Sequence, residues 1–382
     1  MLRALVLLAL TTTASAQWTL QNSGTTASLR GIHSLGNGVA WASGTNGTVL
    51  RTQDGGKHWQ HCTTPPNADK LDFRGIQAFD ANAALVMSSG TGDLSRIYKT
   101  TDGCQTWRLV LKNPDAQGFF DGLAFEANVW GTAPGLSQEN PKVHTGFIMG
   151  DPVDGKFVLF ETRDTGETWK KWTNDDHMRP ATALTKEGAF AASNTSLISP
   201  GFHRDFAFIT GGPTGSRLMI EQEHMISDRK MWLGFQSVQL PLAPGESAGA
   251  FSLAARYRPA PAYSVDFMIV GGDYKQPDKT DGNAVFVTRT DQRTPVVRKP
   301  ETPPHGYRSA VAYDASTKSW ITVGPSGTDV STDDGRNWTA LKPGAGDASD
   351  ADKNWNALSL PFVVGSKGRI GVLSPDVLKH AH

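Results

Sequence analysis

The chain has little cysteine, no charge imbalance and no long apolar run. Two cysteines among 382 residues exclude a disulfide scaffold and any paired-cysteine metal motif. The 37 basic and 37 acidic side chains cancel to a net charge of zero, which argues against nucleic acid or an anionic membrane as partner. Beyond the first ten residues no apolar stretch approaches the roughly 20 residues of a membrane-spanning helix, so no direct span is expected. The ten histidines lack metal-ligand spacing. His58 and His61 sit three apart on a strand and point to opposite faces, and His380 and His382 lie at the terminus. There is no phosphate loop. Neither cofactor nor metal is expected.

What the chain has in quantity is glycine, 40 residues, with 22 prolines, the composition of an all-β protein with many turns. Its start reads Met1-Leu2-Arg3, then apolar Ala4 to Leu10, then Ala14-Ser15-Ala16 before Gln17. This predicts a secretory signal peptide over residues 1–16 and a mature chain, 17–382, that is periplasmic or secreted. No cysteine follows the cleavage site, which argues against a lipid anchor.

An octapeptide, Ser/Thr-x-Asp-x-Gly-x-x-Trp, occurs four times: Thr52 to Trp59, Thr100 to Trp107 with Cys104 in the glycine place, Thr162 to Trp169 and Ser331 to Trp338. It resembles the Asp-box of bacterial-neuraminidase-type repeats, a turn between the two outer strands of a β-propeller blade. Asp54, Asp102, Asp164 and Asp333 can each hold backbone N–H groups across the turn. The glycine takes positive φ. Trp59, Trp107, Trp169 and Trp338 bury a large apolar surface and keep an N–H for a partner. The role is structural. The wide gap between Trp169 and Trp338 implies two degenerate copies, around Ser227 to Trp232 and Thr288 to Thr294.

A second repeat supplies the blade count. Innermost strands are expected to begin at Leu29-Arg30-Gly31-Ile32, Phe73-Arg74-Gly75-Ile76, Phe120-Asp121-Gly122-Leu123, Phe190-Ala191-Ala192-Ser193, Phe251-Ser252-Leu253-Ala254, Tyr307-Arg308-Ser309-Ala310 and Trp355-Asn356-Ala357-Leu358. Short apolar runs such as Ala84 to Met87 and Phe267 to Val270 mark the second strands. The fold expected is a single-domain, seven-bladed β-propeller of four-stranded antiparallel blades. Too little chain follows Trp355 for four strands, so Gln17 to Leu20 should close the last blade as its outer strand and remove an open edge. Cys62 and Cys104 fall in outer parts of different blades. They either bond or stay as two thiols, and their separation favours thiols.

Gly245-Glu246-Ser247-Ala248-Gly249 matches the Gly-x-Ser-x-Gly elbow of hydrolases, but Pro241 and Pro244 stand where that motif needs a buried strand. A glycine-rich loop is the favoured reading. A sialidase-like or other propeller glycosidase is the rival function. It needs two facing carboxylates, or a Tyr nucleophile with a Glu partner and three arginines. The sialidase Phe/Tyr-Arg-Ile-Pro start is absent. Phe73-Arg74-Gly75-Ile76 comes nearest, and no carboxylate pair is singled out. No catalytic residue is assigned, and the balance is against an enzyme.

The second positions of the strand starts form a ring at the mouth of the axial channel. Five contiguous places carry Arg308, Asn356, Arg30, Arg74 and Asp121. Guanidinium forks suit carboxylates and phosphates, so this arc either binds an anionic group or caps neighbouring blades. Asp151 and the loop residues Asp273, Tyr274 and Lys275 lie on the same face. So does the long connection from Thr173 to Glu187, and long loops on a rigid scaffold are common binding elements.

The run Trp18…Leu29-Arg30-Gly31-Ile32…Ala40-Trp41-Ala42-Ser43-Gly44…Gly47-Thr48-Val49-Leu50-Arg51-Thr52…Asp54-Gly55-Gly56…Trp59 resembles the photosystem II stability/assembly factor family of seven-bladed propellers. The resemblance implies an exported, non-enzymatic scaffold with an arginine-rich patch that holds a membrane-protein partner. The expectation is therefore a monomeric binding or assembly propeller for a protein or peptide of the cell envelope.

Overall fold

The computed structural model describes residues 17–126, 144–173, 179–199, 206–227, 230–258, 264–290, 294–344, 347–374 and 377–378. The expected signal peptide lies outside these residues, as do parts of the connection from Thr173 to Glu187 and the terminal His380 and His382. The strands form seven four-stranded sheets, each antiparallel and, in six of the seven, in simple chain order. The seven innermost strands are Leu29–Gly36, Phe73–Ala78, Phe120–Phe125, Leu197–Ile198, Ala248–Arg258, Ala310–Asp314 and Trp355–Ser359. The chain is a seven-bladed β-propeller. Among the described residues no helix is long and apolar enough to cross a membrane.

The seventh sheet breaks chain order. Trp18–Gln21 pairs antiparallel with Ile370–Leu373, in the register Trp18↔Leu373 to Gln21↔Ile370. The N-terminal strand is thus the outer strand of blade seven, and the ring is closed by strands from both ends of the chain. Trp18 is 1% exposed, its indole N–H donates to Thr328 Oγ1 at 3.1 Å, and its ring lies 5.9 Å from that of Trp355.

The core lies between blades. Trp41, Leu71, Phe73, Val86, Tyr98 and Trp107 fill one interface; Phe147, Phe157, Trp172, Phe206 and Phe208 fill another. Each sheet is covered on both faces by its neighbours, so second strands such as Ala84–Ser88 and Ser319–Gly324 are buried along their whole length. This is why they read as continuous apolar runs rather than alternating ones.

The four octapeptides occupy turns between third and fourth strands. In each, the Thr or Ser hydroxyl donates to the Asp and accepts the N–H four residues on. In the first, Thr52 Oγ1 meets Asp54 Oδ1 at 2.9 Å and the Gly56 N–H at 3.0 Å. The Asp also accepts a second N–H, from His58, Thr106, Thr168 or Asn337, at 2.9–3.0 Å. Two successive residues take positive φ, such as Gly55 at 76° and Gly56 at 88°. The tryptophans depart from expectation in one respect. The indole nitrogens of Trp59, Trp107, Trp169 and Trp338 are buried without a hydrogen-bond partner. A Cβ on Gly56 would sit 3.5 Å from Trp59 Nε1, so the indole edge packs against its own turn. Trp338 is fully buried, whereas Trp169 is only half-buried. The two degenerate segments fall at the equivalent turns of blades four and five, but residues 228–229 and 291–293 are outside the described residues.

Two expectations are corrected. The fourth innermost strand is Leu197–Ile198, not the segment from Phe190. Phe190 instead stacks on Phe251 with ring centroids 4.1 Å apart. Cys62 and Cys104 are disulfide-bonded, with Cα atoms 5.2 Å apart. They belong to different blades, but the end of blade one's outer strand lies against the octapeptide turn of blade two. There the Thr63 hydroxyl donates to the Cys104 carbonyl at 2.8 Å.

Candidate functional site

Every innermost strand enters from the same end, and in five blades it begins with a bulge. Leu29 pairs with Gly44 and Gly31 with Ser43, which leaves Arg30 extra between them. The same shift leaves out Arg74, Asp121, Phe251 and Asn356. A bulge re-aims its extra residue away from the ladder. Contacts that skip a blade show where these side chains go. Arg74 Nη1 of blade two donates to the Ala191 carbonyl, just before blade four, at 3.1 Å. Arg30 of blade one lies within electrostatic reach of Tyr307 of blade six. Such contacts are possible only around the axis, so the bulges ring the channel mouth.

Arg30 and Arg74 share one carboxylate. Asp72 Oδ2 accepts from Arg74 Nε at 2.8 Å, and Asp72 Oδ1 lies 3.4 Å from Arg30 Nε. That second approach makes no hydrogen bond, since Arg30 Nε and Asp72 Oδ1 are both buried and unpartnered. The side chains remain 31% and 28% exposed. Burial draws the Arg30 guanidinium below its ordinary pKa; Asp72 opposes this and Arg74 adds to it. Two cations against one anion leave a positive charge at the mouth, with one donor unspent.

Asp121 does not complete the arc as an exposed acid. It is 1% exposed. Burial first, and the Asp151 carboxyl second, push its pKa well above the usual carboxylate range. Arg74 and the N–H groups of Asp151 and Ala191 pull the other way. Asp151 is itself raised by burial, against one N–H bond from Ala189 at 2.9 Å. The buried Asp121 and the half-buried Asp151 thus form a neighbouring pair within electrostatic reach of Arg74.

Arg308 does not reach the mouth, and Asn356, bulged there, spends its amide on blade one. Arg308 is fully buried. A Cβ on Gly324 would touch the Tyr307 carbonyl and Arg308 Cα, as one on Gly44 would touch the Ser28 carbonyl and Leu29 Cα. Arg308 therefore occupies the place of Leu29, and Ser309 that of Arg30. The sequence alignment of this blade is one residue out of register, and a one-residue slip moves a side chain to the other face. The Arg308 guanidinium instead bonds Asp329, the Tyr307 carbonyl and Ser326 Oγ. Asn356 Nδ2 donates to the Leu29 carbonyl at 2.8 Å, which ties blade seven to blade one.

The opposite wall is aromatic. Phe251 stacks on Phe190, meets Tyr307 edge-on at 4.8 Å and Tyr274 edge-on at 6.1 Å. Tyr274 is 48% exposed and Lys275 is exposed beside it. Asp273 organises this loop by accepting from the Ser247 hydroxyl, the Lys275 N–H and the Gln276 amide. Burial would raise its pKa, but those donors prevail and lower it. Ser247, the serine of the Gly-x-Ser-x-Gly match, is thus 8% exposed and bonded to Asp273, while His305 bonds Asp329. The residues of that match therefore do not assemble into a hydrolase triad. Asp72 escaped the sequence reading, and Phe190 was read only as the start of a strand. Asp72, two residues before Arg74 and so on the same side of an extended chain, was legible in principle.

No family model matches the chain, and no curated protein matches it. Solved structures do. YCF48 bound to D1 peptide is similar over 95% of this chain and 98% of its own, with TM-score 0.56 and 14% identity. YCF48 from Cyanidioschyzon merolae covers 94% of this chain and 100% of its own, with TM-score 0.49 and 15% identity. The WD40 propeller domain of Doa1 covers 96% and 99%, with TM-score 0.50 and 9% identity. The chain is a seven-bladed propeller whose structural neighbours include the photosystem II assembly factor YCF48.

Proposed function

We propose that this chain is an exported binding scaffold whose channel mouth receives an anionic segment of a protein partner, with a peptide carboxylate as the preferred group. One observation carries the reading: Arg30 and Arg74 stand side by side, part-exposed, with only Asp72 between them. A ligand carboxylate offers the hydrogen-bond acceptor that Arg30 lacks. Tyr274, exposed beside the buried Phe251 and Tyr307, offers apolar surface to the residues that precede such a carboxylate. The structural likeness to a propeller bound to a peptide supports this reading. The signal-like N-terminus supports export. An envelope client is the natural extension of both.

Each charge-assisted bond is worth roughly 1.5–3 kcal/mol where water is partly excluded. Arg30→Ala with Arg74→Ala should therefore weaken capture at least tenfold, measured on peptides with free C-termini selected against the wild type. Circular dichroism should stay that of the wild type. Undiminished capture by the folded double variant would reject the site. Loss of the fold would show that the arginines serve mainly to cap the blades.

A further inference from the structure

At the same end of the propeller, outward from the mouth, a cavity of about 500 Å³ opens between blades six and seven. Its buried lining includes Arg308, Gly327 and Asp352, and its rim His305, Lys342 and Lys353. The size suits a small molecule.

The floor is built and charged. Asp352 is 7% exposed, and its Oδ1 is buried with no hydrogen-bond partner. A Cβ on Gly327 would lie 3.5 Å from Asp352 Oδ2 and 3.8 Å from Arg308 Nη2. The missing side chain thus leaves a gap where a buried carboxylate and a buried guanidinium converge. Burial raises the Asp352 carboxyl above its usual pKa, while Lys353 and Arg308 oppose the rise. A buried carboxylate oxygen without a partner is costly, and a donor supplied by a ligand would remove that cost.

The rim has the opposite character. His305 Nδ1 lies 2.6 Å from Asp329 Oδ1. Asp329 is fully buried and also holds Arg308, so the imidazole is fixed with Nδ1–H donating inward. The rest of the ring borders the cavity, and the side chain is 59% exposed. Lys342 and Lys353 add two exposed ammonium groups.

We infer that this cavity is a second binding site, for a small hydroxylated carboxylic acid such as a sugar acid. Its hydroxyls donate to the Asp352 carboxylate and to the exposed edge of His305, and its carboxylate meets Lys342 and Lys353. A phosphate ester fits less well, because the Asp352 carboxylate faces the same space and opposes a second negative charge. A neutral sugar leaves the lysines unpaired. The site shares no side chain with the arginine pair at the mouth and stands independently of the reading given to that pair.

Calorimetric titration of the mature chain tests it, with glucuronate, galacturonate and tartrate as probes and glucose and acetate as controls. At least one of the three acids should bind saturably, and at least tenfold tighter than either control. Asp352→Ala should weaken that acid at least tenfold. Because Asp352 is buried and its variant can misfold, Lys342→Ala with Lys353→Ala, which changes only exposed side chains, should do the same. Arg30→Ala with Arg74→Ala should leave the affinity unchanged. No saturable binding by any of the three acids would overturn the inference. So would equal binding of acetate, or undiminished binding by the folded lysine variant.

Discussion

Replacing Trp18 with alanine probes the closure of the ring. The side chain is 1% exposed and packs in a cluster with Ile321, Val323, Trp355, Leu358 and Leu373, drawn from blades six and seven. Truncating a buried Trp costs about 3–5 kcal/mol. The lost contact with Trp355 puts the expected value toward the upper part of that range. The lost indole bond adds little, because Thr328 Oγ1 still donates to the Asp352 carbonyl at 3.0 Å. At about 2.1 cal/mol/K of unfolding entropy per residue, a chain of this length loses roughly 1.3 °C of Tm per kcal/mol. Trp18→Ala should therefore melt about 4–7 °C lower by calorimetry. Leu20→Ala, on the same strand but 42% exposed, should shift Tm by about 1 °C or less. Hydrogen exchange in Trp18→Ala should accelerate at Ile370–Leu373, the strand paired with it, before it does elsewhere. Equal Tm values for the two variants, with unchanged exchange at Ile370–Leu373, would refute the closure energetics.

Three further outcomes are expected. Cys62→Ser with Cys104→Ser opens a link spanning 42 residues, and the chain-entropy relation gives a loss of about 4 kcal/mol, read as a lower urea midpoint. Asp102 accepts from the hydroxyl and N–H of Thr106, which hold its pKa at about 2. Its stabilising effect is complete above the unfolded-state value of about 4. Asp102→Ala should therefore lower Tm at neutral pH, and the deficit should fade as pH falls from about 4 to about 2. Asp121 has the opposite sign: burial raises its folded pKa, so its charge opposes folding increasingly as pH rises through that value. The Tm of Asp121→Asn relative to wild type should climb from about pH 4 and level off above the folded pKa; a flat difference across that range would contradict the burial.

The fold was legible because its signals are local. A Ser or Thr, an Asp and two left-handed residues close the octapeptide turn with bonds no more than four residues apart, so eight letters suffice. Closure was legible by counting, since blade seven lacked one strand and Trp18 to Leu20 was spare. The site was harder to read, because it depends on register and on contacts between blades. Tyr307-Arg308-Ser309-Ala310 matches Leu29-Arg30-Gly31-Ile32 letter for letter in character, yet its arginine takes the paired place and not the bulge. The letters alone carry no mark of that slip. The aromatic wall joins Phe190, Phe251, Tyr274 and Tyr307 across three blades, and the disulfide joins neighbouring blades at the rim. Both follow from the circular order of the blades, which a linear pattern does not display.

The central claim, that the arginine pair reads a carboxylate, is tested most directly by one calorimetric comparison. A peptide selected on the wild-type chain, residues 17–382, is titrated as its free acid and as its C-terminal amide. The account expects the amide to bind at least tenfold more weakly to the wild type, and the two forms to bind Arg30→Ala with Arg74→Ala equally. Equal affinity of acid and amide for the wild type would contradict it.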